Sequence, residues 1–152
     1  MKLSTRSRYG VRLLLDIALH GKDGPVRLGV IAERQGIPIK YLEQIIIPLK
    51  KAQYVTSVRG PKGGHLLSRP PDSITVGEIV NLLEGGLKLT RCVKNPGACE
   101  RSEHCITRFI WKETSEVMQN RLNSITFSDL TRMSDGRGSF LECIPEGEDK
   151  DE

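Results

Sequence analysis

The sequence has no run of eighteen apolar residues, so no transmembrane helix and no membrane partner are expected. Its opening, Met1-Lys2-Leu3-Ser4-Thr5-Arg6, lacks the apolar core of a signal peptide, and the expected location is the cytoplasm. Aromatic residues are scarce, at 5% of 152, but 38% hydrophobic residues suffice for the core of one domain plus an accessory element. There is no Walker loop, no dinucleotide fingerprint and no nucleophile–base pattern. His20, His65 and His104 are scattered, so an enzyme is not expected. Closely spaced C-x2–4-C pairs, the usual mark of structural zinc, are also missing.

Acid is scarce in the first half. Residues 1–71 hold thirteen Lys and Arg against four Asp and Glu, a balance of +9, whereas residues 72–152 hold ten against fifteen, a balance of −5. A basic half beside an acidic one points to a polyanion partner for the first.

The pattern along that basic half is mostly helical. Val11, Leu14, Leu15 and Ala18 share one face of a helix over 5–21, with Ser4 or Thr5 as its cap. Arg6, Arg8 and Arg12 near its start oppose the helix dipole, and a phosphate there would relieve the conflict. A short helix over 27–35 meets Gly36 and Pro38, and a third helix over 39–52 buries Leu42, Ile45, Ile46 and Leu49. Helix, tight turn, helix is the helix-turn-helix pattern. Lys40, Tyr41, Glu43 and Gln44 lie on the part of the third helix that would reach base edges in a major groove. Gln suits adenine, and Glu accepts from cytosine N4. Pro48 predicts a kink beyond them.

Tyr54 to Arg59 and His65 to Ser68 read as two strands around Gly60-Pro61-Lys62-Gly63-Gly64. A hairpin placed there makes a wing, with Arg59 and Lys62 at its tip for the minor groove. Thr75-x-x-Glu78 is a capping box for a helix ending at Gly85-Gly86. The expected fold is mostly α with a small β-hairpin: a winged helix-turn-helix plus a long dimerisation helix. The divisions are a DNA-binding domain over 1–86, a cysteine loop over 87–104, a dimerisation helix over 105–130 and an acidic, disordered tail over 131–152. Within the dimerisation segment a long helix is expected over about 105–123; Trp111, Met118, Leu122 and Ile125 recur at roughly heptad spacing, with Ile106, Ile110 and Val117 beside them. Packing of this surface on its own domain is the alternative.

Cys92, Cys99 and Cys105 fall within fourteen residues at the spacing C-x6-C-x5-C, with Arg91, Lys94 and Arg101 among them. Thiolates favour soft metals, and neighbouring cations favour thiolates. An iron–sulfur cluster or a thiol sensor is expected, and zinc is the further alternative. Clusters usually take four ligands. His104 and Cys143 are open candidates for the fourth, as is a residue of a partner subunit.

Three stretches together, Leu3-Ser4-Thr5-Arg6-Ser7-Arg8-Tyr9-Gly10, Tyr41-Leu42-Glu43-Gln44 and Val58-Arg59-Gly60-Pro61-Lys62-Gly63-Gly64, add to the three cysteines. With them, residues 2–130 resemble the IscR/NsrR-type iron–sulfur transcription regulators. The resemblance implies a homodimer on a pseudo-palindromic operator of double-stranded DNA, read by Glu43, Gln44 and Arg59; Lys2, Arg6, Arg8, Lys40, Tyr41 and Lys62 are the further DNA contacts expected from the basic half. It also implies a [2Fe–2S] or [4Fe–4S] cluster on Cys92, Cys99 and Cys105. The chain departs from that pattern at two places. Arg108 stands where IscR-like members have a histidine, and Arg8 where NsrR-like members have an aspartate. The first cysteine gap is also one residue longer. An iron–sulfur assembly partner that does not bind DNA is the rival from another class.

Overall fold

A computed structural model describes residues 3–136. Helix α1 spans Thr5–His20, and its cap is Ser4, whose hydroxyl accepts from the Ser7 amide at 3.2 Å. The apolar stripe of α1 becomes the centre of the core, where Leu13 and Leu14 are fully buried. Burial of each such side chain contributes about 2 kcal/mol.

Helix α2 (Leu28–Gln35) ends at Gly36, which takes the left-handed conformation with φ +61°. The chain reverses there, and the Ile37 amide donates to the Ala32 carbonyl at 3.0 Å. Pro38 then leads into α3 (Ile39–Lys51), whose buried residues Leu42, Ile45, Ile46 and Leu49 are the predicted ones. A buried polar clamp fixes α2 on α1. Asp16, 1% exposed, accepts from Arg34 Nε at 3.1 Å and from Gln35 Nε2 at 2.9 Å. Helix α3 is continuous through Pro48 to Lys51. The missing proline N–H leaves the Gln44 carbonyl without its helical donor.

Strands β1 (Val55–Val58) and β2 (Gly64–Leu67) pair antiparallel, Val55 opposite Leu67. Val26 joins this hairpin through two backbone bonds with His65, at 2.9 and 2.8 Å. Helix α4 (Val76–Glu84) starts with the predicted Thr75–Glu78 capping box and stops at left-handed Gly85. The winged-helix reading of the sequence is therefore correct.

The second half differs from expectation in two ways. The segment expected to be a loop contains a short helix, α5 (Arg91–Lys94). The helix expected over about 105–123 is α6 (Ile106–Asn123), but the rest of the segment, expected to run on to 130, enters a further helix that was not expected, α7 (Phe127–Gly136). Thr126 and Asp129 form a reciprocal cap: the Thr126 amide donates to Asp129 Oδ2 at 2.9 Å, and the Asp129 amide donates to Thr126 Oγ1 at 3.0 Å. The Thr126 hydroxyl, donating to Asp129 Oδ2 at 2.7 Å, and then the Thr126 amide and Arg132 hold the Asp129 carboxyl down to about 2. The starts of α4 and α7 lie side by side, where the Val76 amide donates to the Ile125 carbonyl and the Phe127 amide to the Ile74 carbonyl. Phe127 is fully buried, so α7 closes the core rather than opening a tail. The remainder of the expected acidic tail, including Cys143, lies outside the described residues.

The apolar surface of α6 also divides. Met118 and Leu122, with Ile125 just beyond the helix, pack on the chain's own core. Ile106, Phe109, Ile110, Trp111 and Val117 remain exposed.

Candidate nucleic-acid interface and cysteine loop

On α3, Lys40, Glu43 and Gln44 are exposed and Tyr41 is half-buried. Their side chains follow from the apolar stripe beneath them: with Leu42, Ile45 and Ile46 inward, 43 and 44 must face out. Arg6 reaches the same place from α1. Arg6, Tyr41, Gln44 and Ile45 line a concavity of about 150 Å³. Tyr41 meets Tyr9 edge-on, ring centroids 5.6 Å apart, and the Arg12 guanidinium lies 5.7 Å from the Tyr9 ring. Arg12 also donates to Gln35 Oε1 at 3.0 Å. Arg12 thus joins α1, the end of α2 and the aromatic pair, a role that sequence spacing did not assign.

Arg8 is exposed and donates to Thr5 Oγ1 at 3.2 Å. Lys2 lies outside the described residues. One anion already lies at the start of α1: Glu84, the last residue of α4. Its Oε1 accepts from the Ser4 amide at 2.9 Å. Burial pushes the Glu84 carboxyl up, but hydrogen bonds from Ser7 and Ser4 outweigh it and hold the group below its ordinary value.

At the wing, Arg59 and Lys62 are both exposed. The tip needs its glycines. Gly60 has φ +113°, and a Cβ on Gly63 would stand 2.3 Å from the Val58 carbonyl oxygen. Arg27, at the start of α2, donates to the Pro61 carbonyl and so clasps the tip. Nothing local in the sequence signals this contact, which spans 34 residues.

The three cysteines carry free thiols. Cys92 sits in α5 and Cys105 precedes α6, both half-buried, while Cys99 is exposed between them. The Cys92 sulfur is 3.3 Å from Thr90 Oγ1, and the Cys105 sulfur 3.2 Å from Thr107 Oγ1. The Thr107 hydroxyl, and then the Arg108 backbone amide, hold the Cys105 thiol below its ordinary range. Among the described residues, no three side chains of His, Cys, Asp or Glu stand together as a metal site. The donor chemistry nonetheless fits a soft metal centre: three thiols on one loop, exposed from Lys94 to Arg101, beside cations that offset thiolate charge. Arg108 is turned to the backbone, donating to the Cys92 carbonyl at 3.0 Å and the Ser102 carbonyl at 3.2 Å.

No helix among the described residues is long and apolar enough to cross a membrane. The sequence profile of the Rrf2 family, described as iron-dependent transcriptional regulators, matches residues 3–133. The protein rrf2 of Nitratidesulfovibrio vulgaris strain Hildenborough is 47% identical over 132 residues, 87% of this chain and 88% of that protein. The HTH-type transcriptional regulator IscR of Yersinia enterocolitica is 42% identical over 135 residues, covering 89% and 82% respectively. Among solved structures, the IscR of T. potens superimposes with a TM-score of 0.73 at 37% identity, covering 97% of this chain and 94% of that one. CymR, the global cysteine regulator of B. subtilis, gives a TM-score of 0.73 at 32% identity, covering 87% and 97%.

Proposed function

The chain belongs to the Rrf2 family of transcriptional regulators, and from that premise we propose that it is a homodimer on a pseudo-palindromic operator whose affinity is set by an iron–sulfur cluster. The chain is a DNA-binding regulator, not an enzyme. The observation that carries the DNA reading is the convergence of Arg6, Tyr41 and Gln44 on the start of α3, in a helix-turn-helix followed by a basic wing. Glu43 and Gln44 read base edges in the major groove, with Lys40 and Tyr41 beside them. Arg59 enters the minor groove, and Arg6, Arg8, Lys62 and Lys2 meet phosphates.

Cys92, Cys99 and Cys105 hold the cluster, [2Fe–2S] or [4Fe–4S], with the fourth ligand left open. When bound, the cluster supplies iron that responds to redox state and to small ligands. The chain itself links this loop to dimer geometry. The Leu89 amide donates to Ser115 Oγ on α6 at 3.1 Å, and Cys105 stands directly before that helix. The exposed apolar part of α6 is the dimer seam, so a shift of the loop moves α6 and with it the spacing of the two α3 helices. Half-sites lie about one helical turn apart, which makes that spacing decisive. A ten- to hundredfold change in affinity needs only about 1.4–2.8 kcal/mol of coupling.

The test is anaerobic purification with iron and sulfide counts, visible spectra and operator titration with and without cluster. Gln44→Ala and Arg59→Ala should each weaken operator binding by about 1–3 kcal/mol. Gln44→Ala should also relax base preference at one position in each half-site. Equal operator affinity in both cluster states removes the switch and leaves DNA binding intact. The exposed Cys99 and the lowered Cys105 thiol favour a second reading, cysteine oxidation as the signal. A colourless anaerobic protein with oxidant-dependent operator binding would select it.

A further inference from the structure

The loop from Cys92 to Cys105 has almost no packing of its own. Ser102, 8% exposed, is its one buried residue, and Lys94 to Arg101 are all exposed. Its internal bonds are short-range: the Asn95 amide donates to the Arg91 carbonyl, the Ser102 amide to the Cys99 carbonyl, and the His104 amide to the Arg101 carbonyl. Such turns are marginal alone, because each orders several residues for one bond. Something from outside must fix the two ends relative to each other.

We infer that Arg108 is a positioning residue that ties shut the base of the cysteine loop. Its Nε holds the Cys92 carbonyl and its Nη1 holds the Ser102 carbonyl, ten residues further along, at 3.0 and 3.2 Å. Arg108 lies in the first turn of α6 and is half-buried. The clamp therefore registers the first cysteine against the helix that begins just after the third. Cys92 and Cys105 are held at the base, and Cys99 rides on the open apex. A guanidinium suits the task, since its planar fork offers several donors in fixed geometry. It carries no acceptor lone pair and cannot ligate a metal. Its contribution to any metal bound here is placement and a compensating positive charge.

This inference rests on the cysteine loop being a metal or thiol site, as proposed above, but its first test uses no metal. Hydrogen exchange is measured on the reduced, metal-free full chain for wild type, Arg108→Met and Arg108→Lys. In Arg108→Met the amides of Asn95, Ser102 and His104 should exchange about tenfold faster. Lysine keeps the charge but can hold only one carbonyl well, so Arg108→Lys should fall between. Exchange in α1 and α3 should not change. Unaltered loop exchange in Arg108→Met overturns the clamp, as does a uniform increase across the chain, which would mark a general loss of stability. The second test titrates Co(II) alone, followed by thiolate absorption. Arg108→Met should bind about tenfold more weakly, a change of about 1.4 kcal/mol. Equal affinity of the two proteins for Co(II) counts against the clamp. If wild type takes up neither Co(II) nor a cluster, the metal reading fails and the exchange result still decides the clamp.

Discussion

The helix-turn-helix and the cysteine loop are held in place in opposite ways. In the first, Leu13, Leu14, Ile31, Leu42 and Leu49 are fully buried, and an ion pair through Asp16 locks α2 on α1. In the second, Ser102 alone is buried between Lys88 and Cys105, and position depends on hydrogen bonds to α6. The reading surface is set by packing, which resists displacement. The loop is set by a few polar contacts, which open locally at small cost. Ligand chemistry at the cysteines can therefore rearrange the loop without remodelling the surface that meets DNA.

The strongest way to break that contrast is to attack the joint between the halves. Phe127 is fully buried at the start of α7, beside the start of α4. Phe127→Ala should cost about 4 kcal/mol, since the site loses both transfer energy and packing. Urea unfolding followed by circular dichroism measures it. A loss confined to α7, with α1 and α3 at full stability, would show that α7 is an appendage and not part of the reading head.

A smaller effect is expected at Glu84, which links the end of α4 to the cap of α1. Glu84→Gln keeps an acceptor but removes the charge, and should cost about 1 kcal/mol near neutral pH. Because the folded carboxyl lies below its ordinary 4.5, the unfolded chain binds the proton more readily. The contribution is complete above the ordinary value and disappears as pH falls through the folded one. The stability gap between wild type and Glu84→Gln should therefore narrow as the pH is lowered from about 6 to about 3. A gap that stays constant with pH would show that shape, not charge, makes the contact.

The same contrast explains what could be read from the sequence. Helices α1, α3 and α4 were legible because their signals are local: Ser4 as a cap, the Leu42-Ile45-Ile46-Leu49 face, the Thr75–Glu78 box. The wing was legible from glycines that its geometry requires. The start of helix α7 is hidden although Thr126-x-x-Asp129 is a local signal of the same type, because Ile125 also continues the heptad spacing of α6. Heptad spacing cannot say whose surface a stripe covers. Met118 and Leu122 serve their own core, whereas Trp111 and Val117 do not. Glu84 to Ser4, Arg27 to Pro61 and Arg108 to Cys92 were illegible for another reason. Each joins residues brought together by the tertiary fold, 80, 34 and 16 positions apart.

The smallest effect expected lies at the far end of the reading helix. Gln53 has φ +61°, the left-handed conformation in which glycine usually ends a helix. The Gln53 amide donates to the Lys50 carbonyl at 3.0 Å and the Tyr54 amide to the Leu49 carbonyl at 2.9 Å, so the conformation terminates α3 and turns the chain into β1. A side chain there costs about 1 kcal/mol relative to glycine, partly offset by the greater freedom of glycine in the unfolded chain. Gln53→Gly should then stabilise the protein by about 0.5 kcal/mol, seen as a higher urea midpoint at unchanged slope. Gln53 is exposed and lies more than two turns from Gln44, so operator affinity should not move. Exchange in the cysteine loop should not move either, because the change strengthens only the half that packing already holds. A lower midpoint would mean that the Gln53 side chain makes a stabilising contact that outweighs its backbone strain.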